Sequence, residues 1–328
     1  MMQRRSLGTL VALALLGANA LAQGQAGGRK RRVGVMTTPS QAASTAHVSA
    51  FKQGMADLGW QEGRNLEYQM AYADGDFGRF EALARKLVAW NAEVIVAGPP
   101  QAVLAAQAAA PGLPIVMAFV GDPITSGFAL SLARPGGYIT GMSAQTEDMR
   151  GKPVELLHEL APGARRIAVL LSAQSGSTDR AWTGAEQACA ALGLQAQRFT
   201  AKQPSEIAGA VEQIVRQKMD AVVVPTDGMY VAQRVPLQAL LQAARLPAVF
   251  TFREHVLAGG LLSYGPSTSA NFRASAKFVD KILKGAKPAD LPIEQPTVFE
   301  LVINLGAAKA LGINVPKALL LRADEVMQ

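Results

Sequence analysis

Short apolar runs alternate with stretches of helical periodicity from Val33 onward. Residues 33–36, 66–72, 94–97 and 115–119 read as strands. Between them, residues 46–58 place Phe51, Met55 and Leu58 on one helical face and stop at Gly59. Residues 80–90 and 101–110 have the same helical character. Asp122-Pro123 follows the fourth strand, and then come a short amphipathic helix and an Arg134-Pro135-Gly136-Gly137 break. A further strand is expected over 139–142. Strands alternating with helices imply βαβ units and parallel pairing.

The alternation then begins again. Helices are expected over 153–160, 179–192, 207–217 and 231–244, and strands over 167–171, 194–199, 221–224 and 248–250. Thr251-Phe252-Arg253-Glu254-His255 reads as the loop that completes this second series. Leu58-Gly59-Trp60 has a counterpart in Leu192-Gly193-Leu194, and Glu93-Val94-Ile95-Val96 in Asp220-Ala221-Val222-Val223. Such near-equal offsets fit two similar lobes, although helix-Gly-strand units recur in any α/β chain. The remainder is less regular: a strand over 261–264, a helix over 272–283, a linker over 288–296, a strand over 299–303 and a helix over 307–311. Breaks at Gly136, Gly265 and Pro292 would give three crossings between lobes.

Composition agrees with this pattern and narrows the setting. The 328 residues are 49% hydrophobic, 17% charged and 6% aromatic, enough chain for two ordinary domains. Arg4 and Arg5 precede an apolar stretch over 7–18, and Ala20-Leu21-Ala22 follows, as in a cleavable export signal. The apolar stretch is shorter than the roughly 20 residues of a spanning helix. Cleavage near Ala22 would leave a periplasmic protein with no cysteine near its start for a lipid anchor. The net charge of +7 includes Arg4 and Arg5, and Arg29-Lys30-Arg31-Arg32 supplies four more positives, read as a solvated tail. The near-neutral body carries no nucleic-acid footprint. Cys189 is the single cysteine, so the chain forms no internal disulfide.

No phosphate-binding loop, nucleophile elbow or HExxH pattern is present, and His47, His158 and His255 have no metal-ligand spacing. No cofactor and no catalytic residues are expected. Polar residues instead collect at strand C-termini, where ligands bind in open α/β sheets. The candidate ligand-binding residues are Thr38, Ser40, Gly98, Pro100, Gln101, Phe119, Asp122, Gln174, Ser175, Asp227, Tyr230, Arg253 and Tyr264. Asp122 and Asp227 would suit a cation such as an α-ammonium, and Arg253 with helix N-termini a carboxylate. Structural alternatives stand beside these roles. Either aspartate could be a helix N-cap, Arg253-Glu254 an exposed pair, and Phe119 and Tyr264 core residues.

Several ordered motifs carry a resemblance over nearly the whole mature chain. They are Phe51-Lys52-Gln53-Gly54-Met55-Ala56-Asp57-Leu58-Gly59 with Glu62-Gly63-Arg64-Asn65, Gly121-Asp122-Pro123, Arg134-Pro135-Gly136-Gly137 with Thr140-Gly141, and Pro225-Thr226-Asp227. Ile282-Leu283-Lys284-Gly285, Pro288-Ala289-Asp290-Leu291-Pro292 and Leu301-Val302-Ile303-Asn304-Leu305 continue the series. The chain resembles the ABC-transporter substrate-binding proteins of the tryptophan/tyrosine-type group. That resemblance implies an α/β, type I periplasmic-binding fold with two Rossmann-like lobes on parallel sheets and a three-crossing hinge. The expected division is 1–22 signal peptide, 23–32 basic tail, 33–142 with 266–292 as lobe 1, and 143–265 with 293–328 as lobe 2. The resemblance further implies capture of a small molecule, an amino acid or small carboxylate, and docking of a monomer on an ABC permease in the inner membrane. A sensory module for a membrane receptor, or an exported α/β enzyme, are the alternatives. Two departures mark the ligand site: Gly98-Pro99-Pro100 stands where many relatives have Gly-Thr-Pro, and Thr37 to Ser40 lacks a His-Pro.

Overall fold

The computed structural model of the chain describes residues 29–144, 151–173 and 178–328. The export segment over 1–22, the first part of the basic tail, and Gln174 and Ser175 lie outside the described residues.

Five parallel strands form the first sheet: β1 (Arg31–Thr37), β2 (Leu66–Tyr72), β3 (Val94–Ala97), β4 (Ile115–Val120) and β5 (Ile139–Ser143), in the order β2-β1-β3-β4-β5. Helices α1 (Thr45–Asp57), α2 (Phe80–Ala89) and α3 (Pro100–Ala109) connect them. The β3 run Val-Ile-Val-Ala is buried throughout, as a central parallel strand covered on both faces must be.

The second sheet has seven strands: β6 (Arg166–Ser172), β7 (Gln195–Ala201), β8 (Ala221–Val224), β9 (Ala248–Phe250), β10 (Leu262–Pro266), β11 (Phe299–Asn304) and β12 (Glu325–Met327). Their order is β12-β11-β10-β9-β8-β6-β7, and every pairing is parallel except β10 with β11. Its helices are α4 (Lys152–Leu160), α5 (Thr178–Ala191), α6 (Ile207–Arg216), α7 (Gly228–Ala232), α8 (Arg234–Ala243) and α9 (Arg253–Leu257). Helix α10 (Thr268–Leu283) returns to the first sheet, and α11 (Leu305–Leu311) and α12 (Lys317–Arg322) close the second.

Each sheet is covered on both faces. In the first, Phe51 and Met55 of α1 pack with Phe272, Phe278 and Val279 of α10, while Phe80, Leu87 and Val103 cover the other face. Full burial of a side chain of this kind is worth about 1.5–3 kcal/mol. Trp60 Nε1 donates to Asp280 Oδ1 at 2.9 Å, tying the end of α1 to α10. His47, buried between these two helices, lies 4.5 Å from the Phe272 ring and 3.1 Å from Thr37 Oγ1 through Nε2.

Three passages join the lobes side by side. The chain leaves the first sheet after Ser143, returns at Ser267 and leaves again over 294–298. Ser143 N donates to Glu294 O at 2.8 Å, Glu294 N to Gly141 O at 3.0 Å, and Ser267 N to Val298 O at 3.1 Å. The break at Gly136 is therefore internal to the first sheet, between β4 and β5, and is not a crossing.

Four local expectations need correction. The segment after Asp122-Pro123 is a turn without a helix: Phe128 N and Ala129 N both return to Pro123 O, and Gly127 sits at φ +73°, which stops propagation. Residues 231–244 are not one helix, because Pro236 has no N–H for the preceding turn and the chain breaks at Gln233 between α7 and α8. The loop after β9 contains the short helix α9. Arg31 and Arg32 belong to β1 and not to a solvated tail: Arg31 pairs with Glu93 at 2.9 Å, and Arg32 donates to Trp90 O at 3.0 Å while lying over its ring.

Two predictions follow from this packing. Gly141 faces Met117 across β4 and β5 at φ +128°, and a Cβ there would lie 2.2 Å from Met117 O. Gly141→Ala should cost about 3 kcal/mol, read as a lowered urea midpoint; an unchanged midpoint would show that the strand can shift to make room. Burial lowers the His47 pKa from 6.5 to about 4. Below pH 6.5 the unfolded imidazole takes up a proton that the folded one resists, so stability falls as pH drops towards 4, by up to about 3 kcal/mol from this group. His255, lowered by burial to about 3, adds to the same slope. His47→Gln should lose less stability than the parent between pH 7 and pH 4.5 in urea titrations, and equal losses would exclude His47 as a source.

Candidate ligand-binding cleft

Loops at the C-terminal ends of both sheets enclose a cavity of about 810 Å³, within the usual range for small-molecule sites. From the first sheet, Thr37 ends β1 and Thr38 follows it, Asp76 and Phe77 follow β2, Gly98 to Gln101 follow β3, Phe119 lies near the end of β4, and Gly121 and Asp122 follow it. From the second, Ser172 ends β6, and Lys202, Asp227 and Phe252 stand after β7, β8 and β9. His47 and Phe272 form part of the first-lobe wall, with Glu254 and Thr268 beside the crossing at Ser267.

The lobes touch across this space. Phe119 and Phe252 meet edge to face with ring centroids 4.9 Å apart. Phe77 stacks on Phe80 of its own lobe and also packs against the second lobe's core. The Arg180 guanidinium of α5 forms an ion pair with the Asp122 carboxylate, which is 7% exposed.

Each carboxylate of the wall is held differently. Asp122 Oδ1 accepts from Ile124 N at 2.9 Å and Thr125 N at 3.2 Å. Burial pushes its pKa up, but these N–H groups, the Thr125 hydroxyl and Arg180 together hold it below the usual carboxylate range. Asp227 caps α7, accepting from Met229 N at 2.8 Å. Its burial outweighs the help of the Met229 and Tyr230 N–H groups and the Ser172 hydroxyl, so its pKa is raised. Glu254 is raised too, chiefly by burial, against hydrogen bonding from Thr268 and the charges of Arg253 and Arg234. Its Oε2 is buried and has no hydrogen-bond partner. Asp76 caps the following turn, accepting from Gly78 N at 2.9 Å.

Of the residues expected from sequence, Thr38, Gly98, Pro100, Gln101, Phe119, Asp122 and Asp227 line the cavity. Others do not reach it. Ser40 is exposed, with its hydroxyl 3.5 Å from Ala43 N. Tyr230 is fully buried in the second lobe's core and donates its hydroxyl to Leu171 O at 2.9 Å. Arg253 forks between Glu300 at 3.3 Å and Glu325 at 2.6 Å. Tyr264 stacks on Phe299 with centroids 6.0 Å apart. Glu254, expected beside Arg253 at the end of β9, does reach the cavity, whereas His47, Phe77, Lys202, Phe252, Thr268 and Phe272 were not expected there. For Phe252 and Lys202 the available signal was their place just after a strand. Among the described residues no group of three or more His, Cys, Asp and Glu is arranged to hold a metal ion, and no helix is long and apolar enough to cross a membrane.

Comparison with known proteins agrees with the two-lobed architecture. A structure of an ABC domain from Streptococcus pneumonia in complex with L-Trp is 27% identical with a TM-score of 0.81, covering 91% of this chain and 100% of that one. A conserved domain protein from Vibrio cholerae O1 biovar eltor str. N16961 is 26% identical, also with a TM-score of 0.81 and coverage of 91% and 100%. The tyrosine-binding protein of Clostridioides difficile (strain R20291) is 23% identical over 283 residues, 86% of this chain and 81% of that protein. The family described as ABC transporter substrate binding protein matches residues 32–327. With its two mostly parallel sheets in the type I periplasmic-binding arrangement, the chain belongs to this family of ABC transporter substrate-binding proteins.

Proposed function

We propose that the protein is the periplasmic receptor of an ABC importer. It captures an aromatic amino acid or a related small carboxylate between its lobes and presents it, as a monomer, to a permease in the inner membrane. It binds and releases its ligand without turnover and needs no cofactor. Export would be directed by the segment ending near Ala22. The observation that carries this reading is the interlobe cavity with phenylalanines on both walls, Phe77, Phe119 and Phe272 on one lobe and Phe252 on the other. The similarity to a protein solved with L-Trp and to a tyrosine-binding protein supports a ligand of that size and shape.

In this reading Thr38, Gly98, Pro100, Gln101, Phe119 and Asp122 meet the ligand from the first lobe, and Asp227 from the second. The three side-by-side passages act as the hinge, and a ligand favours the closed form by the contacts it makes only there. Pro99 and Pro100 have no N–H to offer at the start of α3, which moves polar recognition to the other loops of the cleft.

Native mass spectrometry of protein isolated from its own periplasm should show one bound small molecule. Tryptophan or tyrosine should raise the melting temperature, since a ligand that binds only the folded form stabilises it by mass action. The reading fails if no small molecule accompanies the protein and no amino acid or small carboxylate shifts its melting. The Asp122–Arg180 pair gives a second test. Arg180→Gln removes an interlobe tie with one buried partner, and affinity should fall by a factor of about 3 to 10, mainly through faster release. Unchanged release kinetics would mean that the pair does not contribute to closure.

A further inference from the structure

We propose that Glu254 couples ligand capture to the uptake of a proton: its carboxyl group is neutral while the lobes are closed over a ligand and ionises when the cleft fills with water. This rests on the receptor reading above and adds a form of regulation to the same cleft. Glu254 lines the cavity from α9 of the second lobe, beside Thr268 at the start of α10. Its Oε2 is buried and has no hydrogen-bond partner. The other carboxylates of the wall among the described residues have fixed donors. Asp122 has two backbone N–H groups and Arg180, Asp227 has the Met229 N–H, and Asp76 has the Gly78 N–H.

The charged groups around Glu254 are engaged elsewhere. On its own helix, Arg253 forks between Glu300 of β11 and Glu325 of β12. His255 is buried against Phe250 of β9, and burial keeps its ring neutral, with a pKa of about 3. Arg234, at the start of α8, donates to Val231 O. Tyr264 of β10 stacks on Phe299. The two arginines and the Thr268 hydroxyl favour the carboxylate, but burial outweighs them and raises the Glu254 pKa. A buried anionic oxygen without a donor costs far more than a neutral carboxyl in the same place. Water in an opened cleft would supply the missing donors, and closure over a ligand would remove them again. At a pH above the open-state value, closure therefore draws a proton from solvent, and affinity falls as pH rises until the closed-state value is passed. His47, on the opposite wall with its pKa lowered to about 4, works in the other sense: closure would release its proton below pH 6.5.

The test is calorimetry of L-tryptophan and L-tyrosine binding to the mature protein at fixed salt, from about pH 5 to pH 8. Buffers of different ionisation enthalpy count the protons exchanged. The parent should take up as much as about one proton more than Glu254→Gln, and its affinity relative to that variant should fall by up to about tenfold per pH unit as pH rises. Glutamine mimics the neutral acid, so the variant should bind more tightly than the parent at the upper end of the range. A merely structural role would weaken the variant equally at every pH. If Glu254→Gln does not fold, Thr268→Val, which removes a donor that favours the carboxylate, should move the loss of affinity to higher pH. The proposal is overturned if the parent and the variant that folds share one proton count and one pH profile, a result that leaves the receptor reading in place. If neither amino acid binds, that reading loses its aromatic ligand class, and small-angle scattering of the ligand-free protein decides the proton linkage. The parent's radius of gyration should then rise with pH over the same range, and that of the variant should not follow it. A parent radius independent of pH, or one that the variant matches throughout, overturns the proposal.

Discussion

The cleft depends on three passages of chain held in register by backbone hydrogen bonds. Gly141, Ser143, Ser267, Glu294 and Val298 supply donors and acceptors to one another within 2.8–3.1 Å. Asn271 at the start of α10 adds its side-chain amide to Ser143 O at 3.1 Å. Because β5, β10 and β11 end or begin at these residues, each sheet is complete up to the junction. Small backbone rotations there can reorient the lobes while the apolar packing on both sides stays intact. In the proposed receptor this separates two demands: cores that do not rearrange, and a cleft that opens.

Across the cleft the polar groups divide by how completely the protein satisfies them. Asp122 is supplied by backbone and guanidinium, so it is ionised at the expense of the desolvation it suffers. Asp227 and Glu254 are desolvated more than they are compensated, and their pKa values are raised. Such under-compensated groups cluster at functional sites, since the missing partner is often the ligand. The aromatic contacts do different work. Phe119 against Phe252, and Phe77 against the second lobe's core, close the walls without directional demands, and a few polar groups remain to orient whatever enters.

The comparisons and the geometry act at different levels. Family membership and the two-sheet fold extend over nearly the whole described chain. The ligand chemistry rests on a handful of side chains, and Gly98-Pro99-Pro100 is one place where this chain has its own solution. Pro100 opens α3 well, because the first turn of a helix has no use for its missing N–H. Pro99 before it has neither a hydroxyl nor an N–H to direct at a ligand.

Much of this was legible along the chain. Period-2 and period-3.6 patterns located most strands and helices, and their alternation implied parallel sheets. The rule that ligands sit beyond strand C-termini picked out Thr38, Gly98, Asp122 and Asp227, because that rule needs only the order of elements. It failed where side-chain direction decides. Arg253 and Glu254 are neighbours in sequence, yet on α9 one turns to Glu300 and Glu325 and the other to Thr268 and the cavity. Tyr230 follows Asp227 by three residues but is drawn into the core by the Leu171 carbonyl. His47 and Phe272, 225 positions apart by their numbers, become one wall only when α1 packs on α10. The sequence by itself determined the elements, the two-lobed plan and the loops that end at the cleft, since local periodicity and turn chemistry encode these. Only the tertiary structure decided which carboxylate is left with an unfilled acceptor, because hydrogen-bond satisfaction depends on groups that meet across the fold.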